Sequence, residues 1–400
     1  MVDHRVSPPT TLRLKPREDR RLRAGHLWVY SNEIDTTATP LSAFAPGDLC
    51  RLEDARGKSL GLAYVHPKNL LCARLLSSRS DRPVDTDWFI RRLRSALALR
   101  DRLYPEPYYR LVHGEGDGLP GVVVDRYGDV LVVQVGTVGM ERLKSEIVDA
   151  LTVVLQPRGI WLRNDGVARE AEGLPLYVEA AGDPPPEVEL LESGVRFGTA
   201  LDSGQKTGWF YDQRDNRDRF MRYVPGQRVL DVFCYAGGWG VRAAVGGASQ
   251  VAAIDSSEPA LAAVRANAQT NGVVVETMQG DALERLKRLH AEGLEFDVVV
   301  VDPPALVKRR KDFDAGFGHY AALNRAAMQL LPADGILVSC SCSFHLDEAQ
   351  LQRVLLRESR GLGRRLQLLE TLAQGADHPV HPAMPETRYL KGFIAHVSDG

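Results

Sequence analysis

At 400 residues the chain exceeds one compact core, so two or three domains are expected. With 44% hydrophobic and 26% charged residues it reads as globular rather than disordered. A net charge of −2 excludes a bulk polycation. No apolar run approaches the roughly 20 residues that a membrane helix needs, and the polar N-terminus lacks the apolar core of a secretory signal. The cysteines are Cys50, Cys72, Cys234, Cys340 and Cys342. An odd count without a C-x-x-C pair speaks against a disulfide scaffold or a zinc site, so a soluble, reduced, cytoplasmic protein without a metal is expected.

Residues 1–80 hold 13 Lys and Arg against 8 Asp and Glu, much of the excess lying in "LRLKPREDRRLRAGH" (12–26). A basic module on a near-neutral chain suits docking to phosphates. The plain alternative is a solvated charged surface. Short strands separated by turn residues, as in "PGDLCRLEDARGKSLGLAYV" (46–65), predict a small β-barrel over 1–80. The polar stretch 77–87 reads as a linker. Asp87 is expected to cap a helix over 88–104, where Phe89, Ile90, Leu93, Ala96, Leu97 and Leu99 recur at helical spacing. "GVVVDRYGDVLVVQV" (121–135) predicts two strands about a Gly-Asp turn. A helix over 139–155 and a strand over 159–165 complete a mixed α+β domain at 81–185. "AAGDPPPEVE" (180–189) is a Pro-rich joint.

From 186 to 400 the rhythm becomes β-α-β. Strands are expected at 228–234, 250–255, 273–281, 296–302 and 335–341, with helices at 258–272, 282–293 and 320–331. Strands apolar on both faces imply a parallel sheet covered by helices on both sides, a Rossmann-like α/β domain. There is no internal repeat.

In such sheets a ligand sits beyond the C-terminal ends of the strands. The first strand delivers Asp231 and a loop with Gly237, Gly238 and Gly240; the second ends in Asp255, the third in Asp281, the fourth in "DPPA" (302–305), and the fifth in Cys340 and Cys342. Glycines let backbone approach a ligand, and Asp255, 24 residues after Asp231, suits a ribose diol. The G-x-G-x-x-G cradle of a dinucleotide is absent. Three acids in register would repel phosphate, and they suit a phosphate-free cofactor carrying a sulfonium and an ammonium, S-adenosylmethionine. Asp281 is then placed for the adenine amino group. Taken singly, such acids are as often helix N-caps.

Several long segments carry a resemblance: "GHLWVYSNEI" (25–34), "LVHGEGDGLPGVVVDRYGD" (111–129), "GQKTGWFYDQRDNR" (204–217), "FCYAGGWG" (233–240), "DPPALVKRRKD" (302–312), "SCS" (341–343) and "ETRYLKG" (386–392). Over nearly its whole length the chain resembles the class I methyltransferases, in particular a bacterial family that joins an N-terminal PUA domain to a cytosine-5 rRNA methyltransferase. The resemblance implies a PUA domain at 1–80, a central α+β domain at 81–185, and a Rossmann-like methyltransferase domain with a mostly parallel seven-stranded sheet at 186–400. It implies large-subunit ribosomal RNA as partner, no membrane, and leaves the oligomeric state open, a homodimer included. Phe233 and Tyr235 of the glycine loop join the cofactor candidates, as do Lys206, Tyr211, Gln213 and Arg214 of the "KTGWFYDQR" segment. An Arg or Lys there suits the methionine carboxylate.

In that chemistry a thiolate adds to C6 of cytosine and makes C5 nucleophilic. Cys342 matches the nucleophile position in "SCS", and Asp302 is the acid or hydrogen-bond partner of the base. Cys340, two residues back on the same strand face, is expected to pack as a small apolar residue. Cys50, Cys72 and Cys234 are expected to be structural. Phe313, Phe317 or Tyr320 could stack on the flipped base. His345 reads as a proton carrier or a turn residue, and His378 and His381 as loop residues. Ala305, where amine methyltransferases place an aromatic residue after Asp-Pro-Pro, counts against amine methylation. "CSCSFH" departs from the family pattern and leaves the target nucleotide open. The alternatives are methylation of another base such as guanine, with a structural Cys342, and a non-catalytic RNA-binding assembly factor.

Overall fold

The computed structural model describes residues 10–204 and 207–400. The chain divides into two compact units, one of Met1–Pro186, Ala200–Trp209 and Asp377–Thr387, the other of Glu187–Thr199, Phe210–Ala376 and Arg388–Gly400.

The first unit holds two five-stranded sheets. One orders Thr10–Arg13, Asp48–Glu53, Ser59–Val65, Leu71–Ser77 and Trp28–Tyr30 side by side. An antiparallel bridge between Leu14 and Ile34 brings its two edges together. Leu12, Val29, Leu52, Val65, Cys50 and Cys72 fill its core, so these two cysteines are packing residues. The other sheet orders Tyr177–Gly182, Gly159–Asn164, Val130–Val135, Val122–Tyr127 and Tyr108–His113. The long helix against it runs Thr86–Leu103, and its cap is Asp85, which accepts the Trp88 N–H at 2.8 Å, rather than Asp87. Asp87 lies in the first turn, where its charge meets the positive end of the helix. The helix expected over 139–155 is two, Val138–Arg142 and Lys144–Leu155, broken where Leu143 leaves the helical backbone range.

The second unit is built on a seven-stranded sheet: β1 (Arg228–Val232), β2 (Gln250–Asp255), β3 (Glu276–Gln279), β4 (Val298–Val301), β5 (Asp334–Ser341), β6 (Arg364–Ala373) and β7 (Lys391–Asp399). Its order is β3-β2-β1-β4-β5-β7-β6. β1 to β5 are parallel, and β7 runs antiparallel to both β5 and β6. The order reverses between β1 and β4, which opens a crevice beyond their C-terminal ends. Helices α1 (Arg214–Phe220), α2 (Gly240–Val245), α3 (Glu258–Thr270), α4 (Ala282–Ala291), α5 (Phe313–Met328) and α6 (Glu348–Gly361) accompany the sheet. Leu230, Val232, Ile254, Val299, Val301 and Leu337 form the core with apolar residues of α4, α5 and α6. β3 is shorter than expected, since Val274 is exposed and pairing with β2 begins at Glu276. α5 starts seven residues earlier than expected. Gly316 and Gly318 obscure the helical spacing of Phe313, Phe317 and Tyr320, and Gly316 is required because a Cβ there would stand 2.7 Å from the Leu306 carbonyl oxygen. Among the described residues no helix is long and apolar enough to cross a membrane.

Candidate active site

The site grows from the end of β1. Asp231 is fully buried, and one carboxylate oxygen accepts the Gly240 N–H at 2.8 Å. A Cβ at position 240 would stand 3.1 Å from that oxygen, so a larger residue there would crowd the carboxylate. The other oxygen, Oδ1, has no partner among the described residues. Burial pushes the Asp231 carboxyl up to about 7, with the Gly240 N–H opposing and Asp302 and Asp255 adding to the rise. In the loop that follows, Phe233 and Tyr235 both have positive φ, 67° and 48°, before Gly237 at 86°. Non-glycine residues in that region store backbone strain, which clusters at functional sites. The loop is held down by Asp255, which ends β2 and accepts the Tyr235 N–H at 3.0 Å and the Ser257 N–H at 2.9 Å. Gly237 and Gly238 are buried, the latter against Arg217. Cys234 is buried in this loop and burial drives its thiol far up.

Asp281 is exposed and caps α4 by accepting the Glu284 N–H at 3.1 Å. Its cap role is therefore present, with the side chain still open to a ligand at the end of β3.

At the end of β4, Asp302 accepts the Gln213 Nε2–H at 3.0 Å on one oxygen and the Trp239 Nε1–H at 3.1 Å on the other. Burial pushes its carboxyl up to about 6. Gln213 and Tyr211 are themselves buried, and the Arg214 guanidinium lies 5.0 Å from the Tyr211 ring centroid. Lys206 lies outside the described residues. Beside this segment the buried Glu192 receives two bonds from Arg217, both 2.7 Å, with Arg242 at 3.2 Å and Arg214 at 3.9 Å. Burial pushes the Glu192 carboxyl up, but the three arginines outweigh it and hold it down at about 2.

Cys342 lies one residue beyond β5, partly exposed, with Sγ 3.9 Å from the Pro303 carbonyl oxygen of the Asp-Pro-Pro turn. Among the five cysteines it alone is not buried. Cys340 is 1% exposed, and burial, reinforced by Asp302, drives its thiol well up. Its sulfur packs against Gly392 of β7, where a Cβ would come within 3.0 Å. The strand alternation sends the flanking serines to the other face. Tyr320 Oη lies 2.8 Å from Ser341 Oγ and 2.9 Å from Ser343 Oγ, and Ser343 Oγ accepts the Val307 N–H at 3.0 Å. Tyr320 is 0% exposed, so it is a buried anchor of this turn and not a platform for a base, correcting the expectation from sequence. Phe313 and Phe317 are partly buried, their ring centroids 5.6 Å apart.

Lys391, at the start of β7, donates to the Ser343 carbonyl at 2.5 Å and the Leu346 carbonyl at 2.7 Å. Burial pushes its ammonium down to about 8, with the charge of Cys342 pulling the other way. Sequence reasoning missed Lys391, Trp239, Glu192 and the structural role of the two serines. The "YLKG", "GGWG" and "SCS" motifs carried the first, second and last of these as bare letters. Nothing local marks Glu192.

His345 sits in the turn after Cys342, edge-on to Phe344. In the first unit, His378 is buried with a ring nitrogen 2.7 Å from Asp377, and the His381 N–H donates to Thr387 Oγ1. No group of His, Cys, Asp or Glu able to hold a metal ion occurs among the described residues. In the N-terminal module much of the basic run is internally paired: Arg13 with Glu53 at 3.2 Å, Arg21 with Glu33 at 2.6 Å, and Arg23 with both Asp19 and Asp54.

Residues 12–78 match the PUA-like domain family, and residues 177–390 match the S-adenosylmethionine-dependent methyltransferase family. The ribosomal RNA large subunit methyltransferase I of Photobacterium profundum is 35% identical over 396 residues, covering 97% of this chain and 99% of that protein. The protein of the same name from Erwinia tasmaniensis is 36% identical, covering 96% and 98%. Among solved structures, a methyltransferase complexed with SAH superposes with a TM-score of 0.82 at 22% identity over 97% of this chain and 100% of that one, which shows the common fold. The donor set fits the cofactor of that family, since the unpartnered Asp231 Oδ1 and the acids ending β2 and β3 favour a cation-bearing nucleoside over a phosphate. The chain therefore belongs to the S-adenosylmethionine-dependent methyltransferases and carries a PUA-like domain in residues 12–78.

Proposed function

We propose that the protein methylates large-subunit ribosomal RNA, forming 5-methylcytosine through a covalent adduct between Cys342 and C6 of the base. The observation that carries this reading is a single accessible thiol, Cys342, beside the Asp302 turn, while the other four cysteines are buried. The names of the relatives supply the RNA class.

In this reading Asp255 accepts from the ribose diol and Asp281 from the adenine amino group. Phe233, Tyr235, Gly237 and Gly238 form the wall of the cofactor site, and Asp231 offers its unpartnered oxygen to a cation. Tyr211, Gln213 and Arg214 border the same site, with Arg214 facing the carboxylate of the methionine moiety. When bound, S-adenosylmethionine supplies an electrophilic methyl group on its sulfonium. Cys342 attacks C6 as the thiolate, and the electron pair of the C5–C6 bond becomes available at C5. Asp302, whose carboxyl holds a proton up to about pH 6, hydrogen-bonds the base at N3 or N4 as negative charge develops. Once C5 carries the methyl group, water takes its proton, the C5–H electron pair re-forms the C5–C6 double bond, and the C6–S pair leaves with the thiolate.

RNA carrying 5-fluorocytosine at the target cannot lose a C5 proton, so the adduct should persist. We expect a denaturation-resistant complex with the wild type and with Cys340→Ala, and none with Cys342→Ala. A trap lost in Cys340→Ala and kept in Cys342→Ala would reverse the two roles. Methyl transfer without a trap in any variant would move the modification to another atom or base, guanine included.

A further inference from the structure

Directly after Asp-Pro-Pro the chain runs through a short loop whose root and tip differ in character. The root is fixed to the catalytic turn. The Val307 N–H donates to Ser343 Oγ, one residue from Cys342, Val307 is 1% exposed, and the Leu306 carbonyl packs against Gly316 of α5. The tip carries four consecutive cations, Lys308, Arg309, Arg310 and Lys311, all exposed. Asp312 pairs with Arg309 at 3.0 Å. Lys308, Arg310 and Lys311 have no ion pair among the described residues.

The charge of the surrounding site makes this arrangement purposeful. The strand ends carry four carboxyl groups, Asp231, Asp255, Asp281 and Asp302, none of which attracts a polyanion. A nucleic acid delivering a base to Cys342 must bring its flanking phosphates to the rim of that set. At most about 3.5 Å of chain per residue separates the anchored Val307 from the cations that follow. They therefore stand within reach of the nucleotides next to the base. This loop leaves three of its four cations without an ion pair among the described residues.

We propose that the loop 308–311 is a phosphate clamp that grips the single-stranded RNA backbone flanking the target base. The assignment rests on the RNA reading above and adds the contact that offsets the acidity of the site. Cations that neutralise phosphates release counterions, so each contact steepens the salt dependence of binding.

The test compares the full-length wild type with Lys308→Gln/Arg310→Gln/Lys311→Gln, using a transcript of large-subunit rRNA and a salt series. A control, Arg360→Gln/Arg365→Gln, removes two exposed cations near the N-terminal end of β6, which lies level with the start of β5 and so at the end of the sheet away from Cys342. The loop variant should bind RNA about tenfold or more weakly at low salt. Its log–log salt slope should be shallower by about 2, the value for three single-strand phosphate contacts. The control should keep the wild-type slope, and calorimetric affinity for S-adenosylmethionine should stay unchanged in the loop variant. Wild-type affinity and slope in the loop variant, with the wild type binding RNA, would overturn the clamp and leave the RNA reading standing. An equal loss in the control would also overturn it, by showing that only overall charge matters. A wild type that binds no rRNA would overturn both.

Discussion

Asp231 is the residue on which burial and charge are most sharply opposed. It has no exposed surface, one bond from Gly240, and an oxygen without a partner among the described residues. Its carboxyl rises from the ordinary 3.8 to about 7, chiefly through burial. The folded chain thus holds the proton more tightly than the unfolded chain, and stability is lost as pH climbs from about 4 toward 7. Asp231→Asn removes the buried charge and keeps an oxygen for the Gly240 N–H. In the cofactor-free protein, the stability advantage of Asp231→Asn over wild type should widen by about 2–3 kcal/mol between pH 5 and pH 8. Denaturant unfolding of the catalytic unit at the two pH values measures it, and an advantage independent of pH would show that the charge is not strained. Asp302 shifts in the same direction, to about 6, so it contributes to the same slope within a narrower window.

At the scale of elements, the end of β5 explains the "SCS" motif. Alternation along the strand turns Ser341 toward Tyr320 of α5 and leaves Cys340 against Gly392 of β7. Ser343 then joins three elements: it receives the Val307 N–H, meets Tyr320 Oη, and offers its carbonyl to Lys391. The turn that carries Cys342 is therefore tied to α5, β7 and the loop after Asp302. Ser343→Ala should orphan the buried Val307 N–H and cost about 1–3 kcal/mol locally. Hydrogen exchange at the Val307 amide should accelerate accordingly, while Ser341→Ala, which leaves that N–H paired, should not accelerate it. Equal protection at Val307 in both variants would show that the serine does not secure the loop.

At the scale of the molecule, the β-barrel that contains the PUA-like match does not end where its own core ends. Tyr64 is fully buried, its hydroxyl donates to Thr137 Oγ1 at 2.9 Å, and its ring lies so near Gly139 that a Cβ there would come within 2.1 Å. Leu62 and Leu76 join the same second core. Tyr64→Ala should cost about 3–5 kcal/mol in the first unit, and Tyr64→Phe about 1 kcal/mol for the lost hydrogen bond, both read from denaturant unfolding. A cost for Tyr64→Ala below that of Tyr64→Phe would show that the ring does not join the two cores. Much of this architecture was legible along the chain. Apolar periodicity located five parallel strands, the glycines and acids at their ends pointed to a phosphate-free nucleoside cofactor, and long motifs carried the family. These are properties of residues adjacent in sequence, where spacing and backbone preference act directly. The remainder depends on residues brought together from far apart. Cys340 is buried against Gly392 of β7 while Cys342, two residues on, stays partly exposed beside Pro303. Glu192 meets Arg217 and Arg242 across 25 and 50 residues. The strap 377–387 belongs to the first unit through Asp377, whose carboxylate accepts the Arg110 N–H at 2.9 Å and whose own N–H meets Tyr104 Oη at 3.1 Å. Burial and charge pairing are set by close approach in space, and only the tertiary structure decides which distant side chains make it.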